Sequence, residues 1–205
     1  MMFGHLPGSY ITMTLTEKLW RRGLTPQEVK SVYACGILAG VAPDVDVLFA
    51  GITEHRGSIV HTPFFWAICA AGVALLAIVF RQRQRLLLHL AFAILVGAAT
   101  HILLDAIFVG MKLLYPLSNE YFRMRPPISS RYDNWIINYL LHPIFLTEIY
   151  TFVGATMLWR YRRAKASSRV VMGFLRANQG ILVLAVVITV LYLLNWHAGT
   201  AWIGD

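Results

Sequence analysis

Apolar residues in this chain gather into long runs, separated by short stretches rich in arginine, proline or histidine. Four runs, Pro63–Phe80, Leu86–Val109, Ile136–Trp159 and Gly180–Trp196, lie near the ~20 residues that a helix needs to cross a hydrocarbon core of about 30 Å. Ahead of them, Leu6–Trp20 sets Ile11, Leu15 and Leu19 at helical spacing, which predicts a helix lying in or dipping into the membrane. Thr25-Pro26-Gln27-Glu28 reads as a helix start, with Thr25 as N-cap, proline at the first helical position and Glu28 closing a capping box. That helix is expected to run through Tyr33 and Leu38 until Pro43 stops it, and to form a hairpin with the preceding segment about Arg21-Arg22-Gly23. The pattern therefore predicts an all-α polytopic membrane bundle: about four spanning helices preceded by an N-terminal helical hairpin. It forms one membrane domain over residues 1–205, with its polar motifs in 1–135 and two C-terminal membrane helices in 136–205.

Composition agrees with lipid as the solvent, since 58% of residues are hydrophobic and only 14% charged. The formal charge of +8 does not point to nucleic acid, because the lysines and arginines cluster at the flanks of apolar runs. Arg21, Arg22 and Lys30 mark one turn, Arg81, Arg83 and Arg85 a second, and Arg160, Arg162, Arg163, Lys165, Arg169 and Arg176 a third. With all three clusters in the cytoplasm, the helices alternate correctly. Pro43–His61, the end of the second run near Asp105 and the loop Lys112–Asn134 then face the other side. Cys35 and Cys69 lie within apolar stretches without C-x-x-C spacing and read as small buried hydrophobes. The first twenty residues lack a basic start followed by an apolar core, so no cleavable signal peptide is expected.

Ionisable groups cost about 2.5–3.5 kcal/mol at the centre of a membrane helix, so each one requires a reason. His101 and Asp105, four apart in Thr100-His101-Ile102-Leu103-Leu104-Asp105, share one helical face and could grip a divalent ion or simply hydrogen-bond to each other. Asp44 and Asp46, in Ala42-Pro43-Asp44-Val45-Asp46, fall on the same side, where two close carboxylates repel unless a cation or proton separates them. His55 and His61 flank the turn-permitting Gly57, and Arg56 between them stays charged. The hairpin returns His5 to this side as well. His142 is expected at a depth similar to that of His101, with Glu148 deeper and either structural or functional, while His89 and His197 read as interfacial. Imidazoles and carboxylates without thiolates suit zinc, or manganese, and such an ion lowers the pKa of water and polarises an ester or phosphoryl oxygen.

These motifs resemble the YdjM-like family of bacterial inner-membrane proteins, described as metal-dependent hydrolases. The matching pieces are the Gly4-His5-Leu6-Pro7-Gly8-Ser9-Tyr10 start, the Asp44/Asp46 motif, His55-Arg56-Gly57 followed by His61, and the His101/Asp105 motif followed by Leu113-Leu114-Tyr115-Pro116-Leu117. The resemblance implies a divalent-metal site built from His5, Asp44, Asp46, His55, His61, His101 and Asp105. One extra residue separates Gly57 from His61 relative to the family's usual spacing, which leaves either His55 or His61 as the ligand. The family is also distantly similar to zinc-dependent phospholipase C and S1/P1-type nucleases, an analogy of fold that does not name a substrate.

The leading expectation is a multi-pass inner-membrane hydrolase whose metal site faces away from the cytoplasm and cleaves a phosphoester or other ester of a lipid or lipid-linked substrate. His5, Asp44, Asp46, His61, His101 and Asp105 would serve the metal. Asp46, His55 and Arg56 would serve catalysis, with Arg56 neutralising a phosphate. A metal-activated water makes a serine or cysteine nucleophile unnecessary. The loop Leu117–Asn134, with Arg123, Arg125 and Arg131 among aromatic residues, suits either lipid head groups or plain anchoring at the interface. The alternative is a non-catalytic membrane protein, a stress-response factor or a transporter, whose polar groups form a structural network or an ion path.

Overall fold

The computed structural model describes residues 4–48, 57–108, 110–122, 133–163, 173 and 176–198. Named in chain order, its helices are α1 (His5–Leu15), α2 (Glu17–Trp20), α3 (Pro26–Ala39), α4 (Pro63–Val79), α5 (Gln84–Phe108), α6 (Trp135–Leu141), α7 (Pro143–Arg163) and α8 (Gln179–Ala198). Short 3₁₀ turns occupy Ala42–Asp46, Ile59–His61 and Arg81–Arg83. No strand occurs among the described residues, so the all-helical class stands. Contacts divide the chain into two units, one spanning His5–Pro126 and the other consisting of Pro127–Asp205 with the first four residues.

In the His5–Pro126 unit, local chemistry sets the helix ends. The Thr25 hydroxyl accepts the Glu28 N–H at 3.3 Å while the Glu28 carboxylate accepts the Thr25 N–H at 2.8 Å, so the capping box anticipated from the sequence opens α3. The Thr25 N–H first, and then the Thr25 hydroxyl, which donates to the same carboxylate at 2.8 Å, hold the Glu28 carboxyl below its usual pKa. Between α2 and α3 the hairpin turns at Gly23, whose φ of 78° is accessible to glycine at little cost. The far end of α3 differs from expectation: it stops at Ala39 with Gly40 as its cap, and Pro43 instead sits in the following 3₁₀ turn.

The 25-residue α5 is the central element and packs against α1, α3 and α4. Met13, Trp20, Val32 and Ala93 form a buried cluster between these helices, and the Trp20 indole donates to the Met13 carbonyl at 3.2 Å. Nearer the other end of α5, small residues replace large ones. A Cβ at Gly97 would lie 2.1 Å from the Gly36 carbonyl oxygen and 2.9 Å from the Gly40 nitrogen, so α3 and α5 touch backbone to backbone. Close contact of this kind brings the start of α1, the end of α3 and the end of α5 to one place.

In the second unit, the continuous helix expected over Ile136–Trp159 is instead two, α6 and α7, broken at His142. Pro143 disfavours helical geometry in the residue before it and cannot donate an N–H, and His142 accordingly adopts φ −86°, ψ 144°. Its Nδ1 accepts the Ile144 N–H at 3.2 Å and so caps α7. Arg160 donates to Asn178 at 2.6 Å, and the hydroxyls of Tyr150 and Thr189 share a hydrogen bond between α7 and α8.

Among the described residues, one helix is long and apolar enough by itself to cross a membrane, covering residues 81–107. At 17 residues α4 is apolar but shorter, and the same holds for the apolar part of α8 over residues 179–190.

Candidate metal centre

Three local devices deliver the polar side chains to the packed end of α5. His5 is the first residue of α1, and its ring reaches α5, stacking on His101 with centroids 3.7 Å apart and planes inclined by 18°. The 3₁₀ turn that follows Gly40 carries Asp44 and Asp46. His61 ends a second 3₁₀ turn held from both sides: Ser58 accepts the Val60 N–H at 3.4 Å, and Thr62 accepts the Phe65 N–H as the N-cap of α4. Trp66 braces that turn by donating its indole N–H to the Val60 carbonyl at 2.6 Å.

The side chains converge on Asp44. Its Oδ1 lies 3.5 Å from His61 Nε2 and 3.6 Å from His101 Nε2, while its Oδ2 lies 3.7 Å from His5 Nε2. Asp105 approaches from α5, placing Oδ1 3.2 Å from His5 Nε2 and Oδ2 3.8 Å from His101 Nε2. One donor atom from each of His5, Asp44, His101 and Asp105 falls within 4.8 Å of all the others. The three histidines and Asp105 are fully buried, whereas the Asp44 side chain keeps 27% of its surface exposed. Solvent therefore reaches the cluster past Asp44.

Hydrogen bonding determines which nitrogen of His101 faces the carboxylates. Nδ1 lies 2.9 Å from the Gly40 carbonyl oxygen, an atom that can only accept, so Nδ1 carries the proton. A neutral ring then turns its Nε2 lone pair towards two carboxylates, at separations too long for hydrogen bonds. That arrangement is repulsive unless a cation lies between. Two ligands on one tetrahedral ion with bonds of ~2.0–2.1 Å stand about 3.3 Å apart, close to the separations observed here. A carbonyl holding the non-ligating nitrogen is also the usual outer partner of a metal-binding histidine. The residues thus fit a divalent ion.

Of the residues singled out in the sequence, His5, Asp44, His101 and Asp105 form the group itself. His61 adjoins it through Asp44, with its ring centroid 5.3 Å from that of His101. Asp46 stands behind His61, its Oδ2 3.3 Å from Nδ1, and is not one of the four converging groups. His55, Arg56, Arg123, Arg125 and Arg131 lie outside the described residues. His142 and Glu148 belong to the second unit, where Glu148 is buried on α7 beside an apolar groove shared with Phe152 and Leu184.

Sequence reasoning overlooked the backbone behind the ligands. The Gly40 carbonyl orients His101, and the stripe of Gly36, Gly40 and Gly97 allows that carbonyl to come so close. The signal was present as glycines four apart on α3, the small-xxx-small pattern of closely packed membrane helices. No curated relative and no solved structure matches the chain. The family model of the YdjM inner membrane protein matches residues 1–203, nearly the whole sequence, and the chain belongs to that family.

Proposed function

We propose that this protein is a membrane-embedded, metal-dependent hydrolase acting on a phosphoester or other ester of a lipid or lipid-linked substrate at the bilayer surface. The observation that carries this reading is the convergence of His5, Asp44, His101 and Asp105 within 4.8 Å, three of them buried and Asp44 partly exposed. Zinc suits the nitrogen and oxygen donor set best, and manganese next. When bound, such an ion supplies the Lewis acidity that brings water towards ionisation at neutral pH and polarises the bond to be cleaved.

The chain's own residues do the rest in this reading. Asp44, at the rim, meets incoming substrate, while Asp105 and His5 hold the inner wall. Asp46 orients the His61 ring through Nδ1, leaving Nε2 turned to the site. Arg56, with its planar fork, neutralises a phosphate, and His55 serves as an alternative ligand beside it. Clustering at one end, rather than a spread through the bilayer, favours a reaction site over an ion path.

The proposed setting is a multi-pass inner-membrane bundle of about four spans, with α4, α5 and α8 each among the spans and the metal site on the extracytoplasmic face. At about 1.5 Å per residue, α4 reaches roughly 26 Å, near the lower limit for a span. A reporter fused after Arg83 is expected in the cytoplasm, and its appearance outside would overturn this orientation.

The test of the function itself begins with metal analysis of detergent-purified protein beside an Asp44→Ala, His101→Ala, Asp105→Ala variant. Stoichiometric zinc or manganese is expected in the wild type alone, together with metal-dependent cleavage of phospholipid substrates. Equal and negligible metal in both proteins, after supplementation with divalent ions, would overturn the metal reading. Bound metal without any cleavage of lipid esters or phosphoesters would leave a structural site and end the hydrolase reading.

A further inference from the structure

Beside the metal cluster, the flank of α5 carries a groove of roughly 360 Å³. Pro63 and Trp66 of α4 form one wall, and Leu95, Ala99, Ile102 and Leu103 of α5 form the other. The wall residues are apolar, and the one polar atom that Trp66 carries in its side chain is taken up by the Val60 carbonyl. Leu95 and Leu103 remain 44% and 56% exposed, so the groove opens sideways along the helix that is able to cross the bilayer.

Position along the chain ties this groove to the cluster. Pro63 is two residues beyond His61, and Ile102 directly follows His101, so the upper end lies at the level of the metal ligands. From Leu103 to Leu95 the groove descends about 12 Å along α5 into the depth occupied by hydrocarbon. A polar, partly hydrated site at the top and an apolar channel running down from it match the two halves of one amphiphile.

We propose that this groove seats one hydrocarbon chain of a bilayer lipid whose head group lies at the His5–Asp105 cluster. The assignment rests on the reading of that cluster as a hydrolytic site and specifies its substrate class: a lipid processed while one chain stays in the membrane. Trp66, Ile102 and Leu103 are then specificity-determining positions for the chain. A lipid held this way keeps its ester or phosphoester linkage near the polar ligands, so the bond to be cleaved meets the site without the chain leaving the bilayer.

The experiment is photolabelling in phospholipid vesicles doped with phosphatidylethanolamine that carries a diazirine on one acyl chain, followed by mapping of adducts on the intact protein. Labelling of Trp66, Leu95 and Leu103 is expected to exceed that of Ile68 and Leu75, which are 55% and 62% exposed, by about tenfold, the ratio given by ~1.4 kcal/mol of preferential contact. Ala99→Phe, which fills the groove, is expected to bring labelling down to the Ile68 level while metal content stays unchanged. Uniform labelling of all exposed apolar positions would overturn the proposal, and so would labelling of Leu95 and Leu103 below the Ile68 level, which would mark the groove as covered by another copy of the chain. Labelling requires neither metal nor turnover. Failure of the hydrolase reading therefore shows in the metal analysis, and failure of the groove shows here.

Discussion

Gly97→Ala is expected to destabilise the protein by about 1–3 kcal/mol, the usual cost of overpacking a well-packed contact, and to weaken metal binding at the same time. The added methyl would meet the Gly36 carbonyl oxygen at 2.1 Å, the Gly40 nitrogen at 2.9 Å and the Ala39 Cβ at 3.0 Å. Two of these atoms are backbone, so no rotamer change relieves the clash, and α3 must move away from α5. The Gly40 carbonyl would move with it, releasing His101 Nδ1 from its 2.9 Å bond. Loss of an outer partner of this kind typically costs about 10–100-fold in metal affinity. Gly72→Ala provides the control, because nothing lies within 4 Å of its added Cβ and alanine favours the helix. Thermal unfolding in detergent and metal titration of both variants provide the measurement. A Gly97→Ala protein with unchanged melting and unchanged affinity would show that His101 does not depend on this contact.

The second large effect concerns Asp105→Asn, which keeps the shape of the side chain and removes its charge. If the cluster is a metal site, the apo protein carries Asp44 and Asp105 around the same histidines without the cation that separates them. The substitution should then leave the metal-free protein as stable as before, or more so. Wild-type protein is expected to gain about 4 kcal/mol when zinc is present at a thousandfold excess over Kd, and the variant should gain almost nothing. A buried ion-pair network predicts the reverse. His5 Nε2 lies 3.2 Å from Asp105 Oδ1, and breaking a buried pair by removing one charge costs about 3–5 kcal/mol whether or not metal is added. Melting curves of both proteins, with and without zinc, separate the two. A variant destabilised without metal, beside a wild type that does not respond to zinc, would replace the metal centre with a structural network.

Sequence by itself determined the elements whose causes are local. The capping box at Thr25 and Glu28, the start of α4 at Pro63, and the helical spacing of His101 and Asp105 follow from neighbours a few residues apart, and the fold contains them as written. The α6–α7 break was equally local, since Pro143 disfavours helix in the residue before it, but the apolar run concealed it. Hydropathy responds to side chains and not to the missing N–H.

Tertiary structure alone decided the rest. That His5 would stack on His101, nearly a hundred residues away, depends on how closely α1, α3 and α5 pack, and that closeness comes from glycines that carry no signal of their own charge or chemistry. Which residues converge and which stand behind was likewise decided in space. Asp44 and Asp46 are equivalent in the motif, yet the 3₁₀ turn directs Asp44 to three histidines and Asp46 to His61 alone. A turn of three residues per revolution sends side chains two apart in different directions, so two carboxylates written side by side come to occupy different layers of one site.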